Sequence, residues 1–351
     1  MLPRERVINA LNHKKTDRVP LDFWGTPEVW RNLKKYFKTE NEEGILQKFH
    51  IDIRQYQPEY IGPEIKKLED GSYIDGMGVH RKPQKNEFCE YEEYASWPLG
   101  FAKNLDDLKS YNNWPDIDNF DFKHLPDKIG EAYKTYYIKL ETGGLFELAW
   151  ALRGFEQFML DMVLQPEMSK YIMQKLTDFY CEYVKRAVKY TGNKIDMIYT
   201  YDDIASQRSL LMSKDIWHEI IKPYHIQLNA TIKGLGKTVM YHSCGSVYQM
   251  IPLLKTLPID VLNPLQPLAK DMDFVKIKEE FGEGLCFHGG IDIQFLLPKG
   301  TVEQIEETVK KTIKILSQNG GYILTSAHFI QADTPIKNII AMYETAYNYK
   351  L

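Results

Sequence analysis

The sequence predicts an α/β protein: a single (β/α)8 TIM barrel with a segment inserted after its second strand. Three observations carry this. Eight short apolar runs recur along the chain, each leading into helical text. The connections are short, as strand-helix units require. No G-x-G-x-x-G follows the first run, as an open dinucleotide-binding sheet would need. The 351 residues, 44% hydrophobic and 26% charged, suffice to bury one large core.

Residues 2–14 open with Pro3 and space Val7, Ile8 and Leu11 along one face of a short helix, suited to cap one end of the barrel. The first strand is expected at 19–25 and ends at Gly25, after which Thr26 and Pro27 supply an N-cap and a first helical residue. A helix at 42–49 leads to the second strand at 51–60. From 62 to 125 the text changes character. Asp70-Gly71 is a hairpin signal, 73–80 and 88–94 alternate, and acidic loops with prolines follow, so this stretch reads as an insertion. The other strands are expected at 136–141, 197–203, 238–244, 260–266, 285–292 and 322–328. Long helical stretches are expected at 145–164, 167–190 and 213–235, and the apolar stripes of 145–164 and 213–235 read as core rather than as a cofactor box. The whole chain, 1–351, is expected to be one domain.

With 44 basic against 48 acidic residues and a net charge of -4, the chain offers no electrostatic footprint for nucleic acid. No run of about 18 apolar residues and no apolar leader occurs, so a soluble cytoplasmic protein without a membrane partner is expected. The cysteines, Cys89, Cys181, Cys244 and Cys286, are scattered, which implies reduced thiols rather than a disulfide framework. Oligomeric state is left open.

In a barrel, polar residues at the C-terminal strand ends converge on one mouth. There the expected strands carry Asp22, Trp24, Tyr56, Glu141, Tyr201, Asp202, Asp203, His242, Cys244, Asn263, Gln266, His288, Asp292 and His328. Within Tyr241-His242-Ser243-Cys244-Gly245, the imidazole and the thiol are two positions apart, so on a strand they share a face. That donor pair suits zinc. Two ligands leave a metal weakly held, and His328, at the end of the last strand, is the first choice for a third, with His288 and Cys286 in reserve. Three protein ligands and an open position would make the site catalytic. Asp202, Asp203 and His288 are the expected proton-handling or orienting groups. Asp22, Trp24, Tyr56, Tyr201, Gln266 and Asp292 are the expected substrate contacts. Plainer readings stand beside these: Asp202 and Asp203 as helix N-caps, Asn263 and Gln266 as partners of loop backbone, Cys286 as barrel filler.

Several stretches resemble the uroporphyrinogen decarboxylase superfamily across nearly the whole chain. They are Arg4-Glu5-Arg6-Val7 to Asp17-Arg18-Val19-Pro20, the Tyr241 stretch through Ser246, 260–267, Gly289-Gly290-Ile291-Asp292, and 321–328 with Asp333-Thr334-Pro335. The resemblance implies a TIM barrel with one of two activities. One is decarboxylation of uroporphyrinogen. The other is zinc-dependent methyl transfer between a corrinoid protein and a thiol or other acceptor. The His-x-Cys motif is similar to the methyltransferase branch, which implies His242 and Cys244 as zinc ligands; that branch has a cysteine where this chain has His328. Decarboxylases of the family carry Arg-Gln-Ala-Gly-Arg after the first strand, and here the position reads Asp22-Phe23-Trp24-Gly25-Thr26. A substrate with four carboxylates needs such arginines, so uroporphyrinogen is not expected to be the substrate. The expectation is a corrinoid-linked, zinc-dependent methyltransferase acting on a small thiol or methoxy compound. No Asp-x-His-x-x-Gly motif occurs in the 351 residues, so the corrinoid would come on a partner protein. A metal-free decarboxylase, lyase or hydrolase and an idle binding barrel are the rival expectations.

Overall fold

The protein is described by a computed structural model covering residues 1–86 and 90–351. Seven strands form one parallel sheet in chain order: β1 (Ile53–Gln55), β2 (Tyr137–Gly144), β3 (Met197–Tyr201), β4 (Thr238–His242), β5 (Val261–Leu265), β6 (Cys286–Ile291) and β7 (Tyr322–Ser326). Parallel neighbours need crossovers, and helices supply them, such as Pro166–Thr191 before β3 and Val302–Leu316 before β7. Strands buried on both faces read as nearly continuous apolar runs, as β5 and β7 do, with every residue buried.

The expected first strand spans the gap between β7 and β1. Leu324 N donates to Pro20 O (2.9 Å), Asp22 N to Leu324 O (3.1 Å) and Asp52 N to Leu21 O (2.9 Å). Its pairing is reduced to bridges at Leu21 and Gly25. The reason is local: the Leu21 amide donates to the buried Asp52 carboxylate at 2.8 Å instead of to a strand neighbour, and Pro20 has no amide to give. Asp52 is held in turn by Arg6 and Arg18 at 2.6 and 2.7 Å. The result is a TIM-barrel-like α/β fold.

Inward-facing residues alternate along each strand and fill the barrel. Ile53, Tyr137, Met197, Met240, Val261, Cys286 and Ile323 pack with Val7 from the N-terminal helix Pro3–Leu11, which closes the bottom. Outward-facing residues join the larger core under the helices. Two expected long helices are interrupted. The 145–164 stretch divides into Leu145–Arg153 and Phe155–Leu164 at Gly154, whose φ of +95° is cheap only for glycine. The 213–235 stretch contains a π turn at Trp217–Ile221, just before Pro223, which lacks the amide that would bond to the Glu219 carbonyl.

Between β1 and β2 lies a three-stranded antiparallel sheet of Tyr73–Ile74, His80–Lys85 and Glu90–Ser96. Cys89 and the start of the expected 88–94 alternation lie outside the described residues. Among the described residues, no helix is long and apolar enough to cross a membrane.

Candidate metal centre at the barrel mouth

Sheet register sets Tyr201 beside His242 and His242 beside Asn263, across β3, β4 and β5. His242 ends β4 facing inward. The chain then turns at Gly245, with φ +92°, where a Cβ would lie 2.5 Å from the Ser206 carbonyl oxygen, so glycine is required. The turn directs Cys244 back toward the mouth, its Sγ 3.4 Å from His242 Nε2. His328, just past β7, completes the group: one donor atom from each of His242, Cys244 and His328 lies within 4.8 Å of the other two. Ligands of a tetrahedral zinc stand roughly 3.5 Å apart, so modest side-chain adjustment closes this set on one ion. Two imidazoles and a thiol are borderline-soft donors that fit zinc, and three protein ligands would leave one position of a tetrahedral ion for another group.

A buried hydrogen-bonded chain orients His242. Lys139 Nζ pairs with Asp22 Oδ2 at 2.8 Å, which also accepts from Trp24 Nε1 at 2.8 Å and His288 Nε2 at 3.1 Å. An ionised carboxylate only accepts, so His288 carries its proton on Nε2 and its Nδ1 must accept. The donor to Nδ1 is Asn263 Nδ2, which turns Asn263 Oδ1 toward His242 Nδ1. His242 therefore donates from Nδ1 and presents Nε2 to Cys244 and the metal position. Lys139, Asp22, His288, Asn263 and His242 are all buried.

Electrostatics follow from these contacts. Burial would push the Asp22 carboxyl up, but Lys139 and His288 outweigh it and hold it below the usual range. Burial likewise lowers His242, yet Cys244 and Asp203, whose Oδ1 lies 3.4 Å from Nε2, raise it well above an ordinary imidazole. Burial and the neighbouring His242 lower His328 to about 4, so it is neutral and available as a ligand.

Other expected site residues fall in three groups. Asp203 stands beside the triad and accepts from the Cys244 amide at 2.7 Å. Trp24 stacks on His242 with ring centroids 6.2 Å apart and an interplanar angle of 17°, and Tyr201 meets the same ring edge-on. Asp202, Gln266 and Asp292 are occupied by backbone. Asp202 is fully buried and accepts from the Phe146 and Glu147 amides, with His225 bonded to the same carboxylate. Gln266 Oε1 accepts from Gly245 N at 2.8 Å, holding the loop that carries Cys244. Asp292 accepts from the amides of Gln294, Phe295 and Leu296. Tyr56 leaves the mouth altogether: along an extended chain sides alternate, so Gln55 and Gln57 face inward, where both donate to Glu141 Oε2, while Tyr56 packs against the outer core. Of the reserve ligands, His288 has both nitrogens engaged in the chain above. Cys286 sits at the opposite end of β6, against Leu11 O and His13, its thiol pushed up to about 12 by burial.

Reading by type missed Lys139, although its position two before Glu141 on an apolar strand marks it as inward-facing. It also missed Glu147, whose Oε1 accepts from Asp203 N at 3.0 Å. Burial together with Asp202 and Asp203 raises that carboxyl to about 7. Next to the triad a cavity of about 380 Å³ is walled by Trp24, Trp30, Tyr199 and Phe329, with Asp22, Glu42, Gln55, Gln57, Lys139 and Glu141 as its polar lining. A larger hollow, about 690 Å³, lies on the helix side of β6 and touches none of the triad.

Residues 131–349 match the family model described as uroporphyrinogen decarboxylase (URO-D). A methylated-thiol--coenzyme M methyltransferase of Methanosarcina mazei is 25% identical over 199 residues, 56% of this chain and 49% of that protein. The match thus spans about half the length of that relative. A uroporphyrinogen decarboxylase of Chlamydia caviae is 21% identical over 342 residues, 93% of this chain and 94% of that protein. The solved structure of a methyltransferase from Methanosarcina mazei superposes with a TM-score of 0.71 at 18% identity, covering 99% of this chain and 98% of that one.

Proposed function

The chain belongs to the uroporphyrinogen decarboxylase (URO-D) family, and from that premise we propose that it is a zinc-dependent methyltransferase moving a methyl group between a corrinoid protein and a small thiol or methoxy compound. The observation that carries this reading is the triad His242, Cys244 and His328, converging at the barrel mouth with Asn263 orienting His242. Zinc held there would supply Lewis acidity, which lowers the pKa of a thiol or polarises an ether oxygen.

The chain's own residues have separate tasks. His242, Cys244 and His328 would hold the ion. Asn263 and His288 keep Nε2 of His242 aimed at it, a role that such outer partners commonly have. Asp203 fixes the Cys244 amide and faces His242 Nε2. Glu147, raised to about 7, adjoins Asp203 and is poised to take the proton of an incoming thiol near neutral pH. Trp24, Tyr199 and Phe329 wall a pocket that keeps water from the acceptor. No arginine lines that pocket, and its lysine is neutralised by Asp22, which disfavours a substrate with several carboxylates.

The test mixes the purified chain with methylcobalamin and a panel of thiols, and in reverse with cob(I)alamin and methoxy compounds, following the cobalt absorption bands. The expected result is transfer that requires both zinc and corrinoid. No spectral change in either direction, with corrinoid proteins also supplied, would overturn the reading.

A further inference from the structure

A second cavity, about 350 Å³, adjoins the first at Gln57 and Glu141 and differs from it in chemistry. Its walls are aromatic: Tyr60, Phe120, Phe179, Tyr180, Tyr183 and Tyr201. These rings brace one another edge to face, as in Phe120 with Tyr183 at 5.5 Å and Phe179 with Tyr180 at 5.0 Å. Such a box is preformed, so little side-chain freedom is lost when a ligand enters. No lysine or arginine lines it.

Its acidic groups are Asp75 and Glu141. Asp75 is already paired with Arg81 at 3.0 Å. Glu141 is positioned by Gln55 and Gln57, which donate to Oε2 at 2.7 and 3.1 Å. Burial raises the Glu141 carboxyl and nearby Lys139 only partly offsets this, so the cavity lacks a full counter-charge for it. Aromatic faces attract cations through their quadrupole, most strongly where water is excluded, and aromatic boxes of this kind suit methylated ammonium groups, whose charge is spread under apolar methyls. An anionic ligand would meet Glu141 and find no basic partner. A neutral aromatic ligand would fill the space but leave the carboxyl uncompensated.

We propose that this tyrosine-rich cavity binds a quaternary ammonium head carried by the small thiol or methoxy substrate. The assignment rests on the methyl-transfer reading for what happens to the ligand, and on the cavity alone for its binding. The test is calorimetric titration with choline and with its uncharged carbon isostere, 3,3-dimethylbutan-1-ol, on both zinc-loaded and zinc-stripped protein. Choline should bind about tenfold more tightly or better, as expected for a desolvated cation over aromatic faces. Glu141→Gln should bring choline down toward the isostere, and Phe120→Leu should weaken choline more than the isostere. Unchanged thermal midpoints would show that both variants fold. Equal binding of the two ligands, tighter binding of the isostere, or an unaffected Glu141→Gln would overturn the proposal. No metal ligand lines the cavity, so choline binding should survive zinc removal; failure of the metal reading and failure of this one are therefore separate results.

Discussion

Asn263 decides which nitrogen of His242 faces Cys244: its Oδ1 accepts from Nδ1, leaving Nε2 directed at the thiol. The amide cannot turn over without also facing its oxygen toward the accepting nitrogen of His288. The orientation of His242 is thus fixed through His288 and Asn263 by the buried Lys139–Asp22 ion pair. Asn263→Ala should therefore weaken zinc binding by about 10- to 100-fold while leaving all three ligands in place. Competition with a chromogenic chelator measures it, and unchanged affinity would remove Asn263 from this role.

The ligand set itself is tested by metal content. Wild type should hold about one zinc per chain, and Cys244→Ala and His328→Ala should each lose it, because two ligands bind zinc poorly. Full occupancy in both variants would sink the assignment.

Zinc uptake should release protons. His242 is raised well above the ordinary imidazole range by Cys244 and Asp203 despite its burial, so a metal must displace its proton; His328, lowered to about 4, has none to lose at neutral pH. Affinity should then rise with pH through the neutral range, and zinc added to weakly buffered protein should acidify the solution. A pH-independent affinity with no proton release contradicts this.

Lys139→Met should destabilise the protein by about 3–5 kcal/mol, because it strands the Asp22 charge in the interior. The double variant with Asp22→Asn should recover part of that loss, as urea unfolding of the four proteins would show. The sign in acid follows from the depressed Asp22 carboxyl: its contribution is complete above the ordinary carboxylate range and is lost as pH falls through the depressed value.

Uroporphyrinogen should neither bind nor be decarboxylated. Neither mouth cavity is lined by an arginine, and each unpaired buried carboxylate costs several kcal/mol. Turnover of that substrate by the purified chain would count decisively against methyl transfer.

The barrel was legible because its signals are local. Apolar runs and breakers mark β2 to β7 within a few residues of where they lie. The weakest was the first strand, where Asp52, thirty-one positions along the chain, takes the Leu21 amide that a ladder would have used. The helix breaks at Gly154 and before Pro223 were present as residue types but were outweighed by the apolar stripes around them.

The site divides along the same line. His242 and Cys244 could be paired from spacing alone, since two positions on one strand share a face whatever else the chain does. Tyr56, Gln55 and Gln57 could not be sorted, because strand parity depends on which residue first turns inward, and that is set by packing against β2. Nor could local pattern separate Asp202 from Asp203. Adjacent carboxylates read alike, yet one is consumed by the amides of Phe146 and Glu147 and the other faces His242, a difference made by where the helix Leu145–Arg153, which follows β2, begins beside β3. Local patterning accounts for the strands and the His-x-Cys pair because both are properties of neighbours in the chain. The run from Lys139 through Asp22, His288 and Asn263 to His242 joins residues from 21 to 266 positions apart, and only closure of the barrel brings their polar atoms within bonding distance in a buried interior.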